Sequence, residues 1–297
     1  MTDIAITTEN RLKKIQNYIA HMPSLSTTST KVMEICNNPT TSPNDLNRVI
    51  SLDPVLTGRV LKLINSAFYY LPNEVTSLTR AIVMLGMNTV KNLAVSMAVM
   101  DGLGGDGSFQ ALSMDDFWSH SICVGVAAKS LAAIKGIPVT MREEYFVAGL
   151  LHDLGKIPMM NGFPDDYCKV LELTKIEHVP LHEAEDTVFE TDHCVVGGMI
   201  ADKWQLSGTL TDVLCHHHDP EKANDEHSLL VAIVALGNIY SNTIEIGSAG
   251  DSVHDEPMTN YLLEKVGISW DKLSGLYETI VDEIEKAQIF LQIAKKG

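Results

Sequence analysis

The sequence is short of positive charge, of paired cysteines and of long apolar runs. Its 297 residues hold 22 Lys+Arg against 38 Asp+Glu, a formal net charge of −16. Nucleic-acid binders draw much of their affinity from a basic face that neutralises phosphates. A field of the opposite sign repels DNA, RNA and anionic lipid, so no nucleic-acid partner is expected. The five cysteines are Cys36, Cys123, Cys168, Cys194 and Cys215, and no two are separated by only two residues. That spacing excludes a zinc ribbon and a thioredoxin-like pair. It leaves reduced thiols that pack as small hydrophobes. No run of about 18 apolar residues exists, so no membrane partner is expected. The opening MTDIAITTENRLKK lacks the basic-then-apolar order of a secretory signal. A cytoplasmic location is the default expectation. Strand-like alternation and internal repeats are missing as well.

What is present reads as folded and helical. Apolar residues make up 45% and charged residues 20% of the chain, ordinary proportions for a globular protein. The length allows one large domain or two modest ones. Residues 10–22 place Leu12, Ile15, Ile19 and Met22 on one helical face, and Pro23 ends the pattern. Further helices are predicted at 27–37, at 43–51 behind a Ser42 cap, from Pro54 behind an Asp53 cap, from about Ser77 to Gly86, and from Asn88 onward. The stretch DGLGGDG (101–107) is too glycine-rich for a helix and marks a boundary. It divides the chain into an N-terminal lobe, 1–107, and a C-terminal lobe, 108–297. The second lobe is predicted to hold helices at 114–133, 143–153, 165–176, 181–189, 192–203, 207–217 and 227–245. Gly155 is expected to close the second of these from the C′ position, with Pro158 behind it. Residues 247–257 read as a loop. Residues 271–295 read as one long amphipathic helix, with Leu273, Leu276, Ile280, Ile284, Ala287 and Leu291 in step and Lys295 and Lys296 at its negative end. The fold class is all-α, a two-lobe helical bundle.

Nine of the eleven histidines fall between His120 and His227. His152 and Asp153 stand side by side at the end of an apolar helical run. Successive helical residues diverge by about 100°, so the pair forms a wedge that can bracket an ion. Imidazole beside carboxylate suits zinc, iron, manganese, cobalt or nickel. The apolar run from Phe146 to Leu151 puts both groups at the edge of the core, where burying a carboxylate needs compensation. Other ligands must arrive by folding: His120 in FWSHSICVG, His193 in ETDHCVVGG, and the run His216, His217, His218. Three consecutive helical positions cannot all face one ion, so at most two of the run do. His178, His182 and His227 lie in polar surroundings and read as surface residues, as do His21 and His254.

Around these residues the chain resembles the HD superfamily of metal-dependent phosphohydrolases, and more narrowly the HDOD family of bacterial signalling domains. In the first lobe the resemblance is carried by Met22-Pro23-Ser24-Leu25 through Ile35, by SLDPVLTGRVLKLINSAFY (51–69) and by TRAIVMLGMNTVKNLA (79–94). In the second it is carried by GLLHDLGK and by CHHHDP with the preceding Trp204. The resemblance implies a metal set of His120, His152, Asp153, His193, His217 and His218, holding one or two ions of Fe, Mn, Ni or Zn. It implies catalytic roles for Asp153 and for Lys156, the latter contacting phosphate. The chain departs from the family pattern twice. Asn238, in VALGNI, stands where a late ligating Asp is expected, and DPEKAND follows the histidine run instead of a GYP motif.

Two functions follow as expectations. One is a regulatory module whose HD-like pocket binds an ion or a phosphate-containing ligand and whose surface engages signalling proteins. The other is an active phosphohydrolase of nucleotides or phosphodiesters. A helix pair around Gly86 reads as a helix-turn-helix, but the charge balance disfavours a nucleic-acid role.

Overall fold

The structure, a computed structural model, describes residues 2–22, 25–38, 40–103, 111–251, 253 and 255–294. Among them are eighteen α-helices and no strand. The part of the chain expected to form the first lobe holds α1 (Thr2–His21), α2 (Thr27–Asn37), α3 (Pro43–Ile50), α4 (Pro54–Ile64), α5 (Leu78–Leu85) and α6 (Met87–Leu103). The second holds α7 (Met114–Ile134), α8 (Arg142–Leu151), α9 (Lys156–Gly162), α10 (Pro164–Glu177), α11 (Leu181–Phe189), α12 (His193–Trp204), α13 (Gly208–His216), α14 (Ser228–Ile244), α15 (Glu256–Val266), α16 (Trp270–Ser274), α17 (Tyr277–Ala287) and α18 (Ile289–Ala294).

Side-chain caps set many of the starts. Ser42 and Asp45 form a reciprocal capping box on α3, and Asp53 accepts from the amides of Val55 and Leu56 at the head of α4. Such caps satisfy amides that the helix itself leaves unpaired. The turn between α5 and α6 runs through Gly86 at φ +87°, a conformation that suits glycine.

The centre of the second lobe is α7, packed against α8, α14 and α17. By length and composition α7 could cross a membrane, but it is mostly buried here as a core helix. Helices α7 and α8 touch backbone to backbone: a Cβ on Gly149 would lie 2.7 Å from Gly125 Cα. The ends of the chain cross between lobes. Helix α1 lies against α9, α11 and α12, and α18 lies against α4 and α6. One continuous apolar core therefore runs through both lobes. Buried Glu143 on α8 adds a polar tie, accepting from Tyr69 at 2.6 Å and from Lys129 at 2.9 Å.

The structure corrects four sequence expectations. Asp101 to Leu103 continue α6, so the glycine-rich stretch begins in helix, and residues 104–107 lie outside the described part. Gly155 is not a left-handed C′ residue; its φ is −62° and it precedes α9. Glycine is needed there because a Cβ would sit 1.8 Å from His193 O. Helix α15, behind an Asp255 cap, occupies a stretch not read as helical. The long C-terminal helix is three short ones, broken at Gly275-Leu276 and at Gln288. The breaks let Phe290, Leu291 and Ile293 turn into the core that α18 shares with α4 and α6. Three-and-four spacing survives such breaks because each short segment keeps its own apolar face inward. Lys295, Lys296 and His254 lie outside the described residues, as does the side chain of Cys36. The other four cysteines are free.

Candidate metal centre

Four parts of the chain deliver polar side chains to one buried point. The α7–α8 glycine crossing brings His120 and His152 together, with ring centroids 5.5 Å apart. A tight turn at 152–155 carries Asp153 and Lys156 inward. The Gly155 approach seats the first residue of α12, His193, against that turn. The end of α13 supplies His217 and His218. His120, His152, Asp153, Lys156, His193 and His217 are each only 1–2% exposed.

Asp153 is the hub. Its Oδ2 lies 3.2 Å from His152 Nε2, 3.8 Å from His120 Nε2 and 2.8 Å from Lys156 Nζ. Its Oδ1 lies 3.3 Å from His193 Nε2 and 3.5 Å from His217 Nε2. His193 Nε2 is also 3.2 Å from both His217 Nε2 and His218 Nε2. The carboxylate thus bridges two groups of nitrogens. One group is His120, His152 and Asp153; the other is His193, His217 and His218, with Cys194 at its edge.

The far ring nitrogens are tied down, and that decides which way the lone pairs point. His152 Nδ1 donates to Gly149 O at 2.7 Å and His217 Nδ1 to Val213 O at 2.9 Å. His193 Nδ1 donates to Glu185 Oε2 at 2.6 Å. Glu185, fully buried, also accepts from the His193 amide and from Tyr167 OH. A neutral imidazole that donates from Nδ1 presents a bare lone pair at Nε2. This is the arrangement by which proteins orient metal-bound histidines.

Lone pairs and a carboxylate that face one another can be bridged by a proton or by a metal cation. Four buried atoms at this point lack any hydrogen-bond partner: His120 Nε2, His152 Nε2, Asp153 Oδ1 and Asn238 Oδ1. Leaving buried polar atoms unpaired costs free energy. The spacing also fits an ion. Ligand atoms 3.2–3.5 Å apart are edges of a tetrahedron whose corners lie roughly 2.1 Å from its centre, the usual Zn–N distance.

Titration divides the rings: burial would lower His193, but Glu185 and Cys194 hold it well above its ordinary value. Burial and the neighbouring His152 depress His120 to about 3, so it stays neutral. Burial, His217 and His193 hold His218 well below its ordinary value. Burial works against a charged Asp153, yet His152 and Lys156 keep it ionised, well below the usual carboxylate range. His217 behaves in the opposite way. Burial would lower it, but Cys194 and Asp153 raise it to about 9. In the absence of an ion a proton takes the ion's place there.

All six expected ligands and Lys156 are therefore within one cluster, and Asn238 joins it from α14. His216 is left at the partly exposed edge, His178 and His21 are exposed, and His227 pairs with Asp212 at 2.7 Å. His182, read from sequence as a surface residue, is not one. It stacks on His218 with centroids 4.3 Å apart, and its Nδ1 is buried without a partner. Glu185 was also missed. Its position four residues after Leu181 and four before Phe189 puts a carboxylate in a buried stripe, a signal the helical period carries. Lys156 Nζ is spent on Asp153 and on Ala249 O at 3.2 Å.

The cluster opens on a cavity of about 470 Å³ whose inner wall includes His182, His217, His218 and Asn238. Lys156 does not line it.

Comparison with known proteins matches residues 22–220 to the HDOD domain. A Geobacter sulfurreducens HDOD domain protein of unknown function shares the fold at TM-score 0.71 and 24% identity, over 95% of this chain and 97% of that one. A Shewanella amazonensis SB2B protein provisionally named a phosphohydrolase superposes at TM-score 0.69 with 22% identity, over 93% and 98% of the two chains. Another from the same organism, provisionally named a metal-dependent phosphohydrolase, does so at 0.65 and 20%, over 99% and 100%. An uncharacterized protein of Treponema pallidum is 25% identical over 242 residues, covering 80% of this chain and 45% of that protein. The chain thus spans about half the length of the curated relative it matches.

Proposed function

This chain belongs to the HDOD family, and from that premise we propose that it is a regulatory signalling module holding one or two divalent transition-metal ions in its buried HD-type centre. The observation that carries the reading is the set of buried, partnerless ligand atoms converging around Asp153. His120, His152 and one Asp153 oxygen would hold one ion, with the Asn238 carbonyl beside them. His193, His217, His218 and the other Asp153 oxygen would hold the second. Mixed imidazole and carboxylate donors suit Fe, Mn, Ni or Zn. An ion there supplies Lewis acidity towards water and phosphoryl oxygens.

The chain's own residues favour holding over turnover. Glu185, Gly149 O and Val213 O fix the ring tautomers. Lys156 balances the Asp153 charge from a sealed position, with its ammonium already committed. Asn238 brings a neutral carbonyl where a carboxylate would bind a divalent ion more strongly. The partners of such a module would be signalling proteins.

A second reading, a metal-dependent phosphohydrolase of nucleotides or phosphodiesters, is favoured by the cavity that reaches His217, His218 and Asn238. In it, Asp153 and Lys156 carry catalytic roles. One experiment tests both. Untagged protein is assayed for metal by mass spectrometry beside the His152→Ala/Asp153→Ala variant, with circular dichroism on each. Bis(p-nitrophenyl) phosphate with added manganese is the turnover probe. The expected result is metal in the wild type, none in the variant at equal helicity, and no turnover. Equal metal in both removes the centre. Turnover that disappears in the variant moves the conclusion to the second reading.

A further inference from the structure

The second group of nitrogens comes from three rings, and two of them are held by hydrogen bonds. Glu185 fixes His193 from Nδ1, and the Val213 carbonyl fixes His217 from Nδ1. His218 is different. Its Nε2 lies 3.2 Å from His193 Nε2, but its Nδ1 has no hydrogen bond to a described residue. What surrounds it is other rings. His193 meets it nearly edge-on, with planes 80° apart, and His217 lies tilted at 47°. Only His182 lies flat against it, with centroids 4.3 Å apart and planes 22° from parallel. His193 and His217 belong to the same ligand set as His218; His182 does not.

The helix that carries His182 explains why it can serve as a support. Leu181, Ala184, Glu185 and Phe189 are the buried stripe of α11. His182 stands three residues before Glu185, a spacing that makes two side chains neighbours on the helix surface. One helix therefore reaches two ligands, His193 through a carboxylate and His218 through a ring. The His182 Nδ1 is buried without a partner, and no hydrogen bond joins His182 to His218. What His182 offers is a ring face. Stacked rings favour a defined relative tilt, and a ring covered on one face is hindered from turning.

We infer that His182 is a positioning residue for the second ion: its stack on His218 keeps that Nε2 aimed at the point shared with His193 and His217. The inference rests on the metal reading above. A ligand free to turn must be ordered when the ion binds, and that ordering weakens binding.

Cobalt(II) titration of the full chain tests it, with metal per chain and visible absorption as readouts. The ion held by His218 is the one that His218→Gln loses. His182→Ala is expected to weaken that ion about 10–100-fold and to leave the other in place. His182→Phe keeps a ring face without nitrogens and is expected to retain it. The double variant His182→Ala/His218→Gln should lose no more than His218→Gln alone, because the two residues act through one contact. A second arm needs no ion. In metal-free protein with isotope-labelled histidine, nuclear relaxation of the His218 ring should report greater mobility in His182→Ala and wild-type order in His182→Phe. A wild type that takes up no cobalt removes the metal reading, and the relaxation arm then decides whether His182 holds His218. The inference is overturned by equal order of His218 in wild type and His182→Ala, or by unchanged cobalt uptake in His218→Gln or His182→Ala. A loss in His182→Phe as large as in His182→Ala, or additive losses in the double variant, would overturn it too.

Discussion

The two lobes bury different things. In the first, the buried polar side chains among the described residues are Ser29, Thr89 and Ser96, hydroxyls that bond within their own helix or cap. In the second they include His120, His152, His193, His217, Asp153, Lys156, Glu143, Glu185 and Asp212. The formal charge is divided in the same way. Residues 1–107 carry 9 Lys+Arg and 8 Asp+Glu, whereas residues 108–297 carry 13 and 30. Buried ion pairs add little stability over apolar replacements of the same shape. A bound ion would account for the charges gathered around Asp153, whereas Glu143 and Asp212 pair with protein groups.

The largest expected effect comes from removing the hub. Asp153→Ala leaves Lys156 buried without its partner, and breaking a buried pair in that way costs about 3–5 kcal/mol. Urea unfolding of metal-free protein measures it, and adding Lys156→Met should restore much of the loss. A cost below about 1 kcal/mol would mean that the lysine escapes to water and that the lobes differ less than their burial suggests.

Leu63→Ala puts the same question to the first lobe. Leu63 is fully buried, and truncating it should cost about 2–5 kcal/mol while metal per chain stays the same. Metal lost along with stability would show that the centre depends on both lobes.

The pH response separates an empty centre from a filled one. His217 has a folded-state pKa raised to about 9 from 6.5. Its contribution to the metal-free fold is therefore complete below pH 6.5 and is lost as pH rises through about 9. Metal competes with that proton for the same lone pair, so metal affinity should rise over the same window and binding should release protons. Thermal melts of stripped and loaded protein from pH 6 to 10 should diverge. Parallel curves would remove His217 from the ligand set.

Asn238→Asp is the smallest change. It supplies the carboxylate that α14 lacks, beside His120 and His152. Metal affinity by chelator competition should rise roughly tenfold, about 1.4 kcal/mol. An unchanged affinity would place Asn238 outside the coordination of the first ion and leave it to the cavity alone.

Much of this was legible before any coordinates. The apolar steps of three and four, the Ser42 and Asp53 caps, the His-Asp wedge after Phe146–Leu151 and the crowding of histidines after His120 are all local patterns. Glu185 was legible too, as a charge in the apolar stripe of α11, but only to a reader who asks why a carboxylate keeps company with Leu181 and Phe189. The broken C-terminal helix was not legible, since its spacing continues across Gly275 and Gln288. Nor was His182, whose polar neighbours in sequence say nothing of the His218 ring it meets.

By itself the sequence determined that the chain would be helical, which face of each helix would turn inward and which residue types would supply a metal chemistry. Those are properties of a period and of side-chain donors, and both are written one residue at a time. Only the tertiary structure decided that α7 and α8 would cross at Gly125 and Gly149, that α12 would press against Gly155, and that Lys156 would be sealed behind Asp153. Convergence of groups more than a hundred residues apart depends on how closely backbones pack, and close packing is a property of pairs of helices that no single segment contains.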